Sequence, residues 1–85
     1  MKDYLNNSII FADGLDHPEC VAIHPDGSVW AGGEGGQIYK ITKDGAKIKE
    51  VVNTGGFILG IAFHPSGDWL LICDLNNHCL WKLDI

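Results

Sequence analysis

The chain has 85 residues, which is enough for one small domain at most. Hydrophobic residues make up 46% of it, so a packed core is expected and disorder is not. The formal charge of −5 makes so short a chain a poor binder of the phosphate backbone, and we expect no nucleic-acid partner. The longest apolar run, 57–63, is far too short to cross a bilayer and the start carries no long apolar stretch, so we expect no membrane partner, no leader and a cytoplasmic location.

Eight short segments rich in β-branched, aromatic or aliphatic residues predict strands. In chain order they are 8–12, 20–23, 29–31, 37–42, 47–52, 59–63, 69–73 and 79–83. Turn-forming pairs such as Asp-Gly, Ser-Gly, Gly-Gly and Asn-Asn separate them. No segment has a sustained helical period, and the sequence therefore predicts an all-β fold.

An internal repeat organises these segments. The sequence VAIHPDG at 21–27 recurs as IAFHPSG at 61–67, and IYKI at 38–41 recurs as LWKL at 80–83. We divide the chain into one repeat at about 3–42 and a second at about 43–85, which together form a single unit over 1–85. Four-stranded units of about 40 residues are typical of β-propeller blades.

The phase of the repeat predicts an oligomer. If A is the innermost strand of a blade, the chain reads D-A-B-C-D-A-B-C, and no outer strand follows 79–83. We expect 8–12 of one copy to complete the blade that ends with 79–83 of another, in a head-to-tail ring. The alternative is that the chain is a piece of a longer propeller. The expected interface residues are Ile9, Ile10, Phe11, Leu80, Trp81 and Leu83.

The first repeat resembles a known family. Its segment LDHPECVAIHPDGSVWAG, at 15–32, is similar to a blade of strictosidine synthase-like proteins, and GGQIYKI at 35–41 and LGIAFHPSG at 59–67 also fit. These proteins stand with gluconolactonase, senescence marker protein and paraoxonase in a superfamily of six-bladed, calcium-dependent lactonases and esterases. The second repeat also resembles an NHL repeat. Six blades imply a homotrimer of this chain, with a dimer or tetramer as alternatives.

The resemblance implies a metal site at the channel. A glutamate at the motif position of Glu19 is a divalent-metal ligand in the family, so Ca²⁺ is the implied cofactor. His17 is the second candidate, as a ligand or a base. The alternatives are a solvated glutamate and an ordinary loop histidine. Two departures weaken the site: Leu59 stands where the first repeat has Glu19, and Cys20 replaces the usual glycine.

Other chemistry-bearing residues have simpler explanations. Repetition before a proline predicts a structural role for His24 and His64, and the three tryptophans are expected to pack between blades. The three cysteines form no framework and are expected to be reduced, a Cys73–Cys79 disulfide being the alternative. Capping of turn amides explains a polar cluster at Asp74, Asn76, Asn77 and His78, a metal site being the alternative.

Three functions remain open. The favoured one is a module that binds a small molecule or a protein on the ring face near the channel. The second is a calcium-dependent, lactonase- or esterase-like hydrolase assembled from oligomeric blades, for which no catalytic residue is identified. The third is a non-catalytic propeller fragment with no selected ligand.

Overall fold

Seven strands in two antiparallel sheets make up the computed structural model, which describes residues 4–85. The first sheet has the order β1 (Cys20–Ile23), β2 (Val29–Gly32), β3 (Gln37–Ile41) and β4 (Ile48–Asn53). The second has the order β5 (Ile58–Phe63), β6 (Trp69–Asp74) and β7 (Cys79–Asp84). These two sheets confirm the predicted all-β, blade-like fold, and each of the seven strands lies within one residue of its predicted bounds.

Two predictions concern residues that lie wholly or partly outside the described range 4–85. The expectation of no leader depends on the first residues, and the first repeat was predicted to begin at about residue 3; residues 1–3 lie outside the described part. Within residues 4–85, no helix has the length and the apolar character that a membrane crossing requires.

The predicted first strand, 8–12, was wrong for the single chain, because these residues form no strand. A strand requires a neighbouring edge to hydrogen-bond with, and this segment does not lie beside one. Instead, Ile10, Phe11 and Ala12 lie over the face of the first sheet, where they line a cavity together with Ala31 and Ile41. The second sheet therefore has three strands rather than the four of a complete blade.

The core lies between the two sheets. Side chains alternate along β6, so that Leu70 and Ile72 are buried while Leu71 between them is exposed. Trp30 of β2 packs against the second sheet with its ring edge-on to Phe63, at 5.3 Å between ring centroids. The buried cluster consists of Trp30, Ile38, Ile58, Leu70 and Ile72. Apolar contact between the blades is therefore the main stabilising interaction.

The two histidines that precede a proline hold turns, as predicted. The Nδ1 of His24 accepts the backbone N–H of Asp26 at 3.0 Å, and its Nε2 lies 2.9 Å from the carbonyl oxygen of Gly67. His64 repeats the first contact, because its Nδ1 lies 3.2 Å from the backbone nitrogen of Ser66. Since Gly67 is in the second repeat, His24 also ties one blade to the other.

Ser28 connects the first turn to the core tryptophan. Its hydroxyl donates to Oδ1 of Asp26 at 2.6 Å and accepts the Nε1–H of Trp30 at 2.9 Å. The hydrogen bond from this hydroxyl, followed by one from the backbone N–H of Ser28, lowers the pKa of Asp26 to about 2. One small side chain therefore satisfies a buried indole and holds a surface carboxylate in its ionised form.

Ser28→Ala is expected to raise the pKa of Asp26 toward its usual value, about 3.9. The indole N–H of Trp30 also loses its acceptor, which is expected to cost about 1–2 kcal/mol of unfolding free energy. An NMR titration of the side-chain carboxyl carbons measures the first effect, and urea unfolding measures the second. Ser66→Ala, at an exposed serine in the equivalent turn, is the control. An unchanged pKa of Asp26 in the Ser28 variant would contradict the assignment.

All three cysteines are free thiols, in agreement with the prediction. Cys20 is half-buried beside Gly32, and burial raises the pKa of its thiol. Cys73 and Cys79 are exposed. Burial therefore disfavours the thiolate of Cys20, which is the reactive form of a cysteine.

Candidate functional site

Glu19 lies immediately before β1, with its side chain exposed. The inner strands β1 and β5 lie against one another, as strands that converge on a propeller axis do. The backbone thus places Glu19 at the start of β1, the edge strand of the first sheet that lies against β5. Metal binding by Glu19 stays a prediction.

His17 contacts two carboxylates other than that of Glu19. Its Nδ1 lies 3.1 Å from Oδ1 of Asp16 and 2.7 Å from Oε2 of Glu34. The hydrogen bond to Asp16 and the charge of Glu34 raise the pKa of His17, with a smaller contribution from the charge of Glu19. A φ of 43° at His17 turns the backbone sharply here. The protonated imidazole is therefore the form that this loop favours.

Asp16 is anchored by the neighbouring turn. Its Oδ2 accepts the backbone N–H of Gly35 at 3.0 Å and the Nε2–H of Gln37 at 3.1 Å. Hydrogen bonds from His17 and then Gln37 lower the pKa of Asp16. Sequence reasoning missed both Asp16 and Glu34. The available signal was the glycine-rich turn at 33–36, whose exposed amides suit a carboxylate acceptor.

Among residues 4–85, the one cluster of possible ligand side chains does not fit a calcium ion. Asp16, His17 and Glu34 have ligand atoms within 4.8 Å of one another, as a metal cluster would. Ca²⁺ requires six to eight oxygen ligands, however, and here an imidazole nitrogen lies between two carboxylates. Asp16 also has one oxygen engaged by the turn, and Glu19 does not belong to the cluster. A calcium site on Glu19 stays a prediction that depends on oxygen ligands from beyond one chain.

The polar cluster in the second repeat caps a turn, as predicted. Asp74 is 3% exposed, and its Oδ1 accepts the backbone N–H groups of Phe57 and Asn77, at 3.2 and 3.1 Å. Its Oδ2 accepts the side-chain N–H groups of Asn77 and Trp81, at 2.8 and 2.9 Å. Burial tends to raise the pKa of Asp74, but these hydrogen bonds outweigh it and hold the pKa well below its usual value. Asp74 is thus a structural anion that fixes β7 to the preceding loop.

The expected interface residues fall into two groups. Ile9, Ile10 and Leu80 are widely exposed, at 88, 78 and 65%. Leu83 instead packs against the core, and Trp81 donates its indole N–H to Asp74 on the same side of the sheet. These two side chains consequently point toward the first sheet rather than away from it.

The tryptophans do not share one role, which corrects the expectation that all three pack between blades. Trp30 does pack there, with 3% of its surface exposed. Trp69 lies on the opposite side of the second sheet, where its ring stacks on that of His64 with 4.7 Å between the ring centroids. The Nζ of Lys82 lies over the same tryptophan ring, 4.9 Å from its centroid. The odd-numbered residues of β6 point away from the core, which explains this placement.

Each sheet leaves part of one apolar face uncovered, and we call this its free face. In the first sheet, residues 10–12 cover Ala31 and Ile41 of that face. The free face of the first sheet carries Val21 and Ile23, which are 67 and 70% exposed. The free face of the second sheet is a groove lined by residues of all three strands. Its outward-pointing members are Gly60, Ala62, Leu71, Cys73 and Leu80.

The two free faces repeat the pair of faces that form the core. Strand register makes Leu71 and Leu80 of the second sheet equivalent to Trp30 and Ile38 of the first. The same register makes the free face of the first sheet equivalent to the face that carries Leu70 and Ile72. Each free face therefore has, in the core of the same chain, an equivalent face that packs against the other sheet.

Comparison with known proteins bears on the first repeat. Residues 6–41 match the family model described as "Strictosidine synthase-like, N-terminal". No curated protein sequence matches the chain. The matched range contains β1, β2 and β3 together with Glu19 and His17. The resemblance of this chain to the strictosidine synthase-like family is thereby confirmed over residues 6–41.

Proposed function

We propose that the chain is a self-assembling propeller module whose copies pack head to tail into a ring, and that the ring face binds a small molecule or a protein near the channel. The observation that carries the proposal is the match between the two uncovered sheet faces and the two faces packed in the core. A head-to-tail contact would bury Val21 and Ile23 of one copy against Leu71 and Leu80 of the next. Heterologous contacts of this kind form rings when the rotation closes.

A homotrimer is the ring that the family resemblance supports. Three chains with two blades each give six blades, as in strictosidine synthase-like proteins. A ring of this kind also removes the free sheet faces, which an isolated chain exposes to water and to aggregation. A dimer or a tetramer would satisfy the same contacts with four or eight blades.

The ring face would carry several negative charges near the channel. Glu19 precedes an inner strand, and Asp16 and Glu34 lie in the adjoining loops. In a ring, each copy would contribute these three carboxylates to the same end of the channel, together with His17, whose positive charge offsets one of them. Like charges held around a cleft attract ions of the opposite sign. A ligand with positively charged groups is therefore the class of small molecule or protein segment that this face would favour.

Leu80→Asp tests the assembly. The native 85-residue chain is expected to have three times the chain mass by light scattering, and the variant is expected to be a folded monomer at micromolar concentration. An aspartate at the centre of an apolar contact loses its hydration without a partner, which predicts at least a hundredfold weaker association. Circular dichroism reports whether the β-structure persists.

Leu75→Asp is the matched control, because Leu75 is also exposed, at 51%, but lies in the turn after β6 and on neither free face. It is expected to keep the native mass. A native chain that is a folded monomer at all concentrations would overturn the proposal and favour a piece of a longer propeller. Equal loss of assembly in both variants would show that the free face of the second sheet is not the interface.

A further inference from the structure

We infer that residues 8–13 form the outer strand of the second sheet of a neighbouring copy, where they pair with β7 antiparallel and in one register. The inference rests on the proposed ring and names the backbone contact that joins its copies. The occupant of the open sheet edge is thus a defined segment of a second copy of this chain.

β7 presents an open edge for such a strand. It pairs with β6 on one side, and among the described residues no strand pairs with its other side. In the first sheet the equivalent strand, β3, is covered on that side by β4. Leu80 is 65% exposed, whereas its equivalent in the covered strand, Ile38, is fully buried. An unpaired edge beside apolar side chains is a template for strand addition.

The first sheet supplies the register. β3 and β4 pair with Gln37 opposite Asn53, Ile38 opposite Val52, and Lys40 opposite Lys49, with a bulge between the last two pairs. The internal repeat relates β3 to β7 by 42 residues and β4 to 8–13 by 40 residues. The transferred register is Cys79 with Asp13, Leu80 with Ala12, Trp81 with Ile10, Lys82 with Ile9, and Leu83 with Ser8.

The burial of the segment 9–12 partly resembles that of the equivalent residues of β4. In the sequence 49–52 the first two residues are exposed, and Val51 and Val52 are half-buried against the core. Of the equivalent residues, Ile9, Ile10 and Phe11 are exposed, Phe11 the least at 43%, and Ala12 is half-buried. In both segments the residues nearer the carboxyl end are the more buried.

The surface that covers this segment is also the equivalent one. Val52 lines a cavity with Ile72 and Leu83 of the following blade. Ala12 lines a cavity with Ala31 and Ile41, which are 3 and 2% exposed and are the counterparts of Ile72 and Leu83. The segment therefore packs on the blade that follows it in its own chain. A neighbouring β7 can pair with it without displacing it, so ordering the segment adds little to the entropic cost of assembly.

A disulfide between copies tests the register. Directly opposed residues in an antiparallel pair have Cα atoms about 4.5–5.5 Å apart, which suits a disulfide. Asp13→Cys places a thiol opposite the native Cys79 of the neighbouring copy. Mild oxidation is expected to give covalent multimers on non-reducing gels, with the 13–79 link identified by peptide mass spectrometry.

Two controls fix the interpretation. Asp13→Cys with Cys79→Ser removes the partner thiol and is expected to give no such link. Ile9→Cys places a thiol on the same segment but four residues away, about 13 Å along an extended strand, and is expected not to link to Cys79.

Three other outcomes would overturn the inference. A native mass of several chains without the 13–79 link would leave the proposed ring standing and reject the strand pairing. A 13–79 link within a single chain would show that the segment pairs with its own β7. A native chain that is monomeric would reject both proposals, and the outer strand would then belong to a different polypeptide segment.

Discussion

Gly32→Ala is expected to destabilise the chain by about 1–3 kcal/mol, because the added methyl group has no space. A Cβ at this position would overlap the side chain of Ile58, with 2.8 Å to its Cβ and 3.0 Å to the Sγ of Cys20. Ile58 is fully buried between the sheets and cannot move aside without displacing the core. Urea unfolding at a fixed protein concentration measures the effect, and the melting temperature should fall by several degrees per kcal/mol.

Gly60→Ala is the matched control for this steric reason. Gly60 is also in a strand, but a Cβ there would have only the Sγ of Cys73 near it, at 3.8 Å. Because Gly60 lines the free face of the second sheet, both variants are compared in the Leu80→Asp background. There, Gly60→Ala is expected to change the unfolding free energy by less than about 0.5 kcal/mol. Combining Gly32→Ala with Ile58→Ala restores space, so the double variant should lose less than the sum of the single losses. Full additivity would contradict the assigned clash.

Asp74→Asn is expected to cost about 2–4 kcal/mol of unfolding free energy, although it hardly changes the shape of the side chain. Each carboxylate oxygen of Asp74 accepts two N–H groups. An amide has one oxygen and one NH₂ group. In either orientation of the asparagine side chain, the NH₂ group faces two N–H donors, and these two donors have no acceptor. Each such buried donor costs about 1–3 kcal/mol. Urea unfolding at pH 7 measures the loss.

The pH dependence of the same variant tests the charge. The hydrogen bonds lower the pKa of Asp74 in the folded chain below the usual value of about 3.9. The stability due to its carboxylate is therefore fully present above that value and is lost as the pH falls toward the folded pKa. The difference in unfolding free energy between native chain and variant should be constant from pH 7 to 5 and should shrink below pH 4.

Asp68→Asn is the control for both measurements, because it makes the same chemical change at an exposed aspartate of the same repeat. Its unfolding free energy should stay within about 0.5 kcal/mol of the native value. If the difference for Asp74→Asn did not change between pH 5 and 3, the loss would come from shape rather than charge.

The candidate site could be predicted only in part. The motif around Glu19 gave its place before an inner strand, because the residues that carry the motif are contiguous. Asp16 and Glu34 were missed, because they are 18 positions apart in the sequence. A glycine-rich turn brings Glu34 close to Asp16 and into contact with His17. The cluster at Asp74 was predicted correctly, because Asx residues cap the turns in which they stand.

The amino-acid pattern by itself determined the seven strands, their order in two blades and the structural role of the paired histidines. Alternating apolar residues, turn residues and a 40-residue repeat are local signals, and each is written in consecutive residues. Only the tertiary structure decided that residues 8–12 form no strand in one chain, that Trp69 faces away from the core, and that two complementary faces remain uncovered. These properties depend on which edge or surface lies within reach of a residue. Packing between segments far apart in the sequence decides that, and local composition does not.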